Sequence, residues 1–96
     1  MSLELLAKQE PKIIQALYRL KSEVFKDGAL TTKEKELIAT ALSCMLKCDI
    51  CLEVHAQGAT EAGATKEELR EAMTVAMYMA GPSTVIWTPK IDEIIK

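Results

Sequence analysis

Two Thr-x-x-Glu segments, each followed by apolar residues at helical spacing, constrain the fold of this chain more than any other feature of its sequence. Thr31 stands three residues before Glu34, and Thr65 stands three residues before Glu68. In such a capping box each side chain hydrogen-bonds to the backbone N–H of the other residue, so each segment predicts a helix start. No segment shows the strict alternation of apolar and polar residues that is typical of a strand. The chain is therefore predicted to be all-α.

Turn residues divide the chain into about five to six helices. A short amphipathic arm covers residues 2–10, and Pro11 suits the first turn of the helix that follows. The predicted helix ends are marked by Asp27-Gly28, by Gly63 and by Gly81-Pro82. The last segment, residues 83–96, is predicted to be a short helix that is bent or broken at Pro89.

Apolar residues at helical spacing predict the apolar face of each helix. The stripe on the helix that begins at Pro11 consists of Ile13, Ile14, Leu17, Leu20, Val24 and Phe25. The face of the next helix consists of Leu37, Ile38, Ala41, Leu42 and Met45. The residues predicted to point inward from the helix after Thr65 are Leu69, Ala72, Met73, Ala76 and Met79. Methionines 73, 77 and 79 are expected in the core or in oligomer contacts, because Met fills irregular gaps.

The composition fits a small helical protein that either packs unusually well or buries an apolar face against copies of itself. Apolar residues make up 49% of the 96 residues and aromatic residues only 4%, a balance that suits helix–helix contacts. A chain of this length buries only about 60–65% of the surface that it exposes when unfolded. We therefore expect one domain, residues 1–96, which forms oligomers through apolar helix faces.

The charge pattern and the N-terminus argue against several classes of protein. The net charge is −2, with 12 basic and 14 acidic residues interspersed, so we expect no nucleic-acid partner. The longest uncharged stretch, from Ala72 up to Lys90, contains turn residues and too few apolar residues for a membrane span. The first ten residues, MSLELLAKQE, lack the basic and apolar regions of a signal peptide. We expect a cytoplasmic protein that does not interact with membranes.

The segment KCDICLEVH contains Cys48, Cys51 and His55, the only histidine of the chain. Two cysteines separated by two residues can form a disulfide, and nearby positive potential lowers the pKa of such thiols toward the reactive thiolate. Cys51 and His55 share one face of a helix, so His55 could take a proton from the thiol. Glu36 could orient His55 or transfer a proton if its helix packs against the cysteine helix. This pattern predicts a redox site.

A metal site and simple packing are the alternatives for the cysteines. Cys44, Cys48, Cys51 and His55 are four potential zinc ligands. On one continuous helix they would spread over about 16 Å, whereas zinc requires every ligand within about 2.0–2.3 Å. A zinc site formed by three of these residues and a water molecule stays an alternative, although we expect no metal. Hydrophobic periodicity does not decide whether the helix breaks near Lys47. Cys44 alone is predicted to pack as a small hydrophobe.

The chain from about residue 30 to residue 81 resembles the AhpD-like alkylhydroperoxidases of the carboxymuconolactone decarboxylase superfamily. The family pattern is a Glu, eleven residues, CxxC, three residues and a His, followed by a GA-containing turn and a capped acidic helix. Glu36 stands at the acidic position, Cys48 and Cys51 at the cysteine pair, and His55 at the histidine. The turn and the capped helix correspond to GATKEEL.

The resemblance implies an all-helical fold that assembles as trimers or hexamers. It also implies a chain break just before the cysteines, which would place Cys48 near a helix N-terminus. Members of the family use the cysteine pair for thiol–disulfide exchange and peroxide reduction. Their electrons come from a lipoyl-bearing or other dithiol partner and can pass to a peroxiredoxin.

The resulting hypothesis is a thiol–disulfide oxidoreductase or alkylhydroperoxidase-like peroxidase, with Cys48 and Cys51 as the redox pair and His55 and Glu36 as the proton relay. A helix N-terminus would favour Cys48 as the attacking thiol and the imidazole would favour Cys51, which we prefer. No nicotinamide, flavin or phosphate signature is present, so we expect no cofactor and a partner as electron donor. The alternatives are a carboxymuconolactone decarboxylase-like enzyme and a non-catalytic, metal-binding helical oligomer.

Overall fold

A computed structural model describes residues 2–96, which form six α-helices joined by short turns. The helices are α1 (Leu3–Gln9), α2 (Pro11–Phe25), α3 (Thr32–Leu46), α4 (Asp49–Glu61), α5 (Lys66–Ala80) and α6 (Lys90–Ile95). One turn of 3-10 helix, Pro82–Thr84, lies between α5 and α6. No strand occurs within residues 2–96. The predictions of an all-α fold and of five to six helices are confirmed.

The two predicted capping boxes begin α3 and α5. The Thr31 hydroxyl accepts a hydrogen bond from the Glu34 backbone N–H at 3.1 Å, and the Glu34 carboxylate accepts one from the Thr31 backbone N–H at 2.9 Å. Thr65 and Glu68 repeat both bonds at 3.1 and 2.9 Å. The backbone N–H bonds hold the pKa of Glu34 and of Glu68 below the usual value of a glutamate. Local sequence alone therefore fixes both starts.

Two glycines with left-handed backbone angles follow α4 and α5. Gly63 has a φ of +100° and Gly81 a φ of +94°, a region that residues with a Cβ rarely adopt. The α4 helix ends at Glu61 and α5 ends at Ala80, which confirms the predicted stops. The tail is divided as expected, because α6 begins directly after Pro89.

The core forms where α3 packs against both α4 and α5, and α6 packs against α4 and α5. One buried cluster joins four helices and consists of Cys44, Leu52, Met73, Ala76 and Ile91. A second cluster, made of small residues and one leucine, consists of Ala56, Ala59, Ala64 and Leu69. The small residues bring α4 close to its neighbours. The helix pair α3–α4, which contains all the candidate site residues, is thus at the centre of the packing.

The buried side of α3 is more polar than its sequence pattern indicates. Ile38, Leu42 and Met45, three members of the predicted apolar face, are 40–50% exposed. The buried residues of α3 are instead Glu36, Thr40, Ser43 and Cys44. Leu37 and Ala41, the other two members, are partly buried and pack against the core clusters, so the apolar pattern identified the packing face only in part.

Hydroxyl groups on α3 can be buried because they bond to their own helix. Thr40 Oγ1 donates to the Glu36 carbonyl oxygen at 2.8 Å, and Ser43 Oγ donates to the Ala39 carbonyl oxygen at 2.7 Å. A buried hydroxyl without a partner would destabilise the fold, but these two are satisfied. Their short side chains then leave room for the close approach of α4.

The apolar stripe of α2 is covered only in part. Ile14 is buried and Phe25 is partly buried, whereas Leu17, Leu20 and Val24 are 47–59% exposed. The reason is that α2 packs mainly against α1 and against the start of α3. A sequence stripe identifies an apolar face, but it does not say what covers that face.

The methionines of α5 also divide between core and surface. Met73 is 2% exposed and belongs to the main core cluster. The inward position predicted for Met79 is wrong, because this side chain is 67% exposed. Met79 follows Ala76 by three residues, but only the α5 face around Met73 and Ala76 contacts the core.

We expect Leu52→Ala to reduce the free energy of unfolding by about 2–5 kcal/mol. The Leu52 side chain is fully buried, so its loss removes apolar contacts and leaves a cavity. Ile50→Ala in the same helix is the matched control, because Ile50 is 72% exposed and its loss should change the free energy of unfolding by less than about 0.5 kcal/mol. Urea unfolding measures both changes. Equal losses in the two variants would contradict this packing.

Candidate active site

A left-handed residue separates α3 from α4 and places Cys48 at a helix start. Lys47 has φ 52° and ψ 47°, and its backbone N–H bonds to the Cys44 carbonyl oxygen at 3.2 Å. The Cys48 backbone N–H bonds to the Ser43 carbonyl oxygen at 3.2 Å. These bonds end α3 and turn the chain, so that Cys48 becomes the N-cap residue of α4. The chain break implied by the family resemblance is present.

Cys48 and Cys51 form a disulfide within the first turn of α4. Their Cα atoms are 5.3 Å apart, which lies within the usual range for bonded cysteines. The Cys51 backbone N–H also donates to Cys48 Sγ at 3.3 Å. The unpaired N–H groups of a helix start produce positive potential, which stabilises a thiolate. Both sulfurs therefore lie at the positive end of α4.

A hydrogen bond between Glu36 on α3 and His55 on α4 joins the two helices beside the disulfide. Glu36 Oε1 lies 3.2 Å from His55 Nδ1, and the two side chains are 7% and 21% exposed. When the Glu36 carboxylate is ionised it can only accept a hydrogen bond, and Nδ1 is then the ring nitrogen that carries the proton. The other ring nitrogen, Nε2, is then free to act as a base. The hydrogen bond thus orients the His55 ring.

Phe25 forms an aromatic wall beside His55. Their ring centroids are 5.3 Å apart and the ring planes differ by 21°. Thr32 braces this end of α2, because its Oγ1 donates to the Phe25 carbonyl oxygen at 2.7 Å and its backbone N–H donates to Asp27 Oδ1 at 2.7 Å. The bonds from Thr32 hold the pKa of Asp27 below its usual value. The sequence pattern predicted Phe25 only as a member of the apolar stripe of α2 and did not indicate its contact with His55.

Gly58 is a second residue that the sequence analysis missed. It lies on α4, one turn after His55, and the Glu36 carboxylate occupies the space where a side chain of residue 58 would begin. Its only sequence signal is a glycine inside a helical pattern, which often marks a close approach between helices.

An open apolar groove of about 470 Å³ runs along the disulfide side of the site. Its walls come from α1, α2 and the first two turns of α4, and Cys51 and His55 both border it. Leu17, Val24 and Val54 are among its apolar residues. An apolar groove beside a reactive sulfur suits an apolar substrate or the apolar arm of a partner.

A second groove, of about 560 Å³, lies between α2, α3 and α4. Glu36 and Gly58 border it together with Thr32, Gln57 and Glu61. Neither cysteine lines this groove, and neither does His55. The two grooves share Lys21, Phe25 and Val54 as walls, and His55 borders the first groove while Glu36 borders the second.

The structure brings Glu36, Cys48, Cys51 and His55 into one site and places Cys44 outside it. Cys44 is 0% exposed in the main core cluster, as predicted, and burial raises the pKa of its thiol. Within residues 2–96 no group of three or more His, Cys, Asp and Glu side chains could hold a metal ion. The catalytic roles assigned to the four site residues stay predictions.

This combination of an all-helical fold, a CxxC disulfide at a helix start and a Glu–His pair defines an AhpD-like protein. Residues 11–87 match the carboxymuconolactone decarboxylase family. The chain belongs to this family, which confirms the resemblance drawn from the sequence.

Relatives with similar sequences cover most of the chain. An uncharacterised protein encoded in the cox locus of Paracoccus denitrificans is 43% identical over 86 residues, which cover 85% of this chain and 78% of the relative. An uncharacterised protein of Cupriavidus necator is 31% identical over 85 residues, which cover 88% of this chain and 75% of the relative.

Solved structures of the family share the fold. The apo form of a carboxymuconolactone decarboxylase family protein from Legionella pneumophila superposes with a TM-score of 0.87 at 34% identity, covering 97% of this chain and 83% of that one. A family member from Thermotoga maritima, for which an antioxidative role has been suggested, has a TM-score of 0.75 at 28% identity and covers 85% and 84% of the two chains. No helix within residues 2–96 is long and apolar enough to cross a membrane.

We expect iodoacetamide to label Cys48 and Cys51 in the reduced, folded protein and to leave Cys44 unlabelled. Cys44 is fully buried, and the raised pKa of its thiol reduces the thiolate fraction. Peptide mass spectrometry identifies the labelled residues. In guanidinium chloride all three cysteines should react. Labelling of Cys44 at the rate of the pair in folded protein would contradict this assignment.

Proposed function

We propose that this protein is a thiol–disulfide oxidoreductase that reduces peroxides, with Cys48 and Cys51 as its redox pair. The observation that carries the proposal is the position of the disulfide: it borders the same groove as His55, whose Nδ1 is held by the buried carboxylate of Glu36. An oxidisable pair and an oriented base therefore share one site. The antioxidative role suggested for the Thermotoga maritima relative is in line with this chemistry.

Cys51 is the attacking thiol in this proposal. It borders the apolar groove together with His55, whereas Cys48 does not line that groove. His55 Nε2 takes the thiol proton, and the Cys51 thiolate attacks one oxygen of a hydroperoxide. A sulfur–oxygen bond forms and the oxygen–oxygen bond breaks. The leaving alkoxide takes the proton back from His55 and departs as an alcohol, leaving a sulfenic acid on Cys51.

Cys48 is the resolving thiol. Its sulfur attacks the sulfenic sulfur of Cys51, a water molecule leaves, and the disulfide forms. The separation of 5.3 Å between the two Cα atoms already suits the disulfide. The two electrons that reduce the peroxide thus come from two thiols of one helical turn.

A dithiol partner completes the cycle. One thiolate of the partner attacks the disulfide, its second thiol releases the protein, and the partner leaves oxidised. The exposed apolar groove suits a lipoyl-bearing partner or another apolar dithiol, and a peroxiredoxin is an alternative destination for the electrons. We place this exchange in the cytoplasm, where dithiol reductants are abundant. Trimers or hexamers formed through the uncovered apolar helix faces are part of the same proposal.

Cysteine variants test the roles of the two sulfurs. When reduced Cys48→Ser is mixed with cumene hydroperoxide, we expect a lasting sulfenic acid on Cys51, because no resolving thiol is present. Dimedone traps this species, and mass spectrometry locates it. Cys51→Ser should give no rapid adduct, and Cys44→Ala, which adds no polar group to the core, should react as the wild-type protein does. A Cys48→Ser, Cys51→Ser double variant that still reduces peroxide would refute the proposal.

Relay variants test the proton transfer. His55→Ala should slow the reaction of the reduced protein with peroxide at pH 7 by about 10²–10³-fold, since it removes the base. Glu36→Gln should slow it by roughly 10–100-fold, since it removes the charge that orients the ring. Stopped-flow kinetics under single-turnover conditions measure both rates.

Glu53→Gln is the matched control for Glu36→Gln. Glu53 is a half-exposed carboxylate on α4 that bonds to Lys90 at 2.8 Å. Its loss should leave the rate unchanged within about twofold, because an exposed ion pair contributes little. If Glu36→Gln and Glu53→Gln slow the reaction equally, the relay assignment of Glu36 is wrong.

A further inference from the structure

The space beside Gly58 is filled by the carboxylate of Glu36. A Cβ atom built on Gly58 would overlap Glu36 Oε2 and would lie 2.7 Å from Cδ and 3.5 Å from Cγ of the same residue. Real Cβ atoms essentially never lie within 3.0 Å of such a heavy atom, so the contacts with Oε2 and Cδ could not both persist. The Glu36 carboxylate therefore occupies the volume that a side chain at position 58 would need.

The backbone at residue 58 does not itself require glycine. Gly58 lies inside α4, and its φ is not positive. Glycine inside a helix is less favourable than alanine, because it loses more conformational freedom on folding. A residue that weakens its own helix needs another reason for its presence, and the reason that the structure offers is space.

A larger residue at position 58 would displace the Glu36 carboxylate rather than the backbone, because the overlapping atoms are the end of a flexible side chain that borders the second groove. The residue is 5% exposed on the buried side of α3, and its carboxylate lies against Gly58 and His55 of α4. Its Oε1 is engaged by His55 Nδ1. A methyl group at position 58 would push the carboxylate out of this space and break its bond to the ring.

We propose that Gly58 is a positioning residue of the site, which seats the Glu36 carboxylate against His55 Nδ1 by having no side chain. The effect of Gly58 on the reaction with peroxide rests on the proposed function, whereas its effect on the position of the Glu36 carboxylate does not. The contact itself can be measured on the imidazole ring without any substrate.

The test uses nitrogen-15 NMR of the ring of His55, the only histidine of the chain. In the unchanged protein the proton of the neutral ring should be confined to Nδ1, because the carboxylate accepts it there. In Gly58→Ala the nitrogen-15 shifts should show that the ring proton is shared between Nδ1 and Nε2. Glu36→Ala, which removes the carboxylate, should give the same result. Ring-nitrogen shifts that stay unchanged in folded Gly58→Ala would overturn the proposal.

Gly28→Ala is the matched control for adding a methyl group. A Cβ on Gly28 would meet only the end of the flexible Lys35 side chain, at 3.8 Å. This variant should keep the His55 spectrum and the melting temperature of the unchanged protein. A similar change of the His55 spectrum in both glycine variants would show a non-specific effect and would overturn the proposal.

A double-mutant comparison keeps the test decisive if Gly58→Ala alone folds poorly. In the presence of Glu36, Gly58→Ala should lower the melting temperature. In a Glu36→Ala background the same change meets no carboxylate and improves the helix, so it should raise the melting temperature by about 4 °C. A decrease in both backgrounds would overturn the proposal.

Kinetics separate this proposal from the proposed function. If Gly58→Ala alters the His55 tautomer and slows the reaction with peroxide, both are supported. If it alters the tautomer while Gly58→Ala and Glu36→Gln both react with peroxide at the unchanged rate, the seating of Glu36 is supported and its role in the relay is refuted.

Discussion

The hydrogen bond between Glu36 and His55 joins the two central helices at the point where the chemistry is placed. An ionised carboxylate is stable in a site this buried only when its charge is compensated by hydrogen bonding. The imidazole N–H provides that bond at 3.2 Å. Because the bond spans α3 and α4, the geometry of the site depends on the same helix contact that builds the core. The chain break at Lys47 then brings both cysteines to the start of α4, on the helix that contains His55.

Features governed by local chemistry were predicted well from the sequence. The capping boxes and the glycine stops depend on residues within a few positions of one another, so they could be read directly. The pair of cysteines and His55 could be read for the same reason, since they lie on consecutive turns of one helix. For Glu36 the sequence indicated only that it could reach His55 if its helix packed there, and the family pattern then singled it out, because nothing in its own segment says that α3 packs against the cysteine helix.

Features that depend on how helices approach one another were not predicted. The buried side of α3 contains Thr40 and Ser43, whose hydroxyls are satisfied within the helix, so hydrophobic periodicity identified only Leu37 and Ala41 among the α3 residues that pack. The stacking of Phe25 on His55 depends on the turn between α2 and α3, which Thr32 braces. The role of Gly58 is visible only when the position of the Glu36 carboxylate is known, because an empty volume leaves no pattern in a sequence.

The two grooves beside the site have a consequence for the timing of proton movement. His55 faces the apolar groove that contains the sulfur, whereas Glu36 borders the other groove, from which both cysteines are absent. In the proposed mechanism, Glu36 exchanges protons with bulk water through the second groove while a bulky molecule occupies the apolar groove that His55 borders. Substrate entry and proton supply would then not compete for the same route, and the protein could receive or release a proton before its product departs.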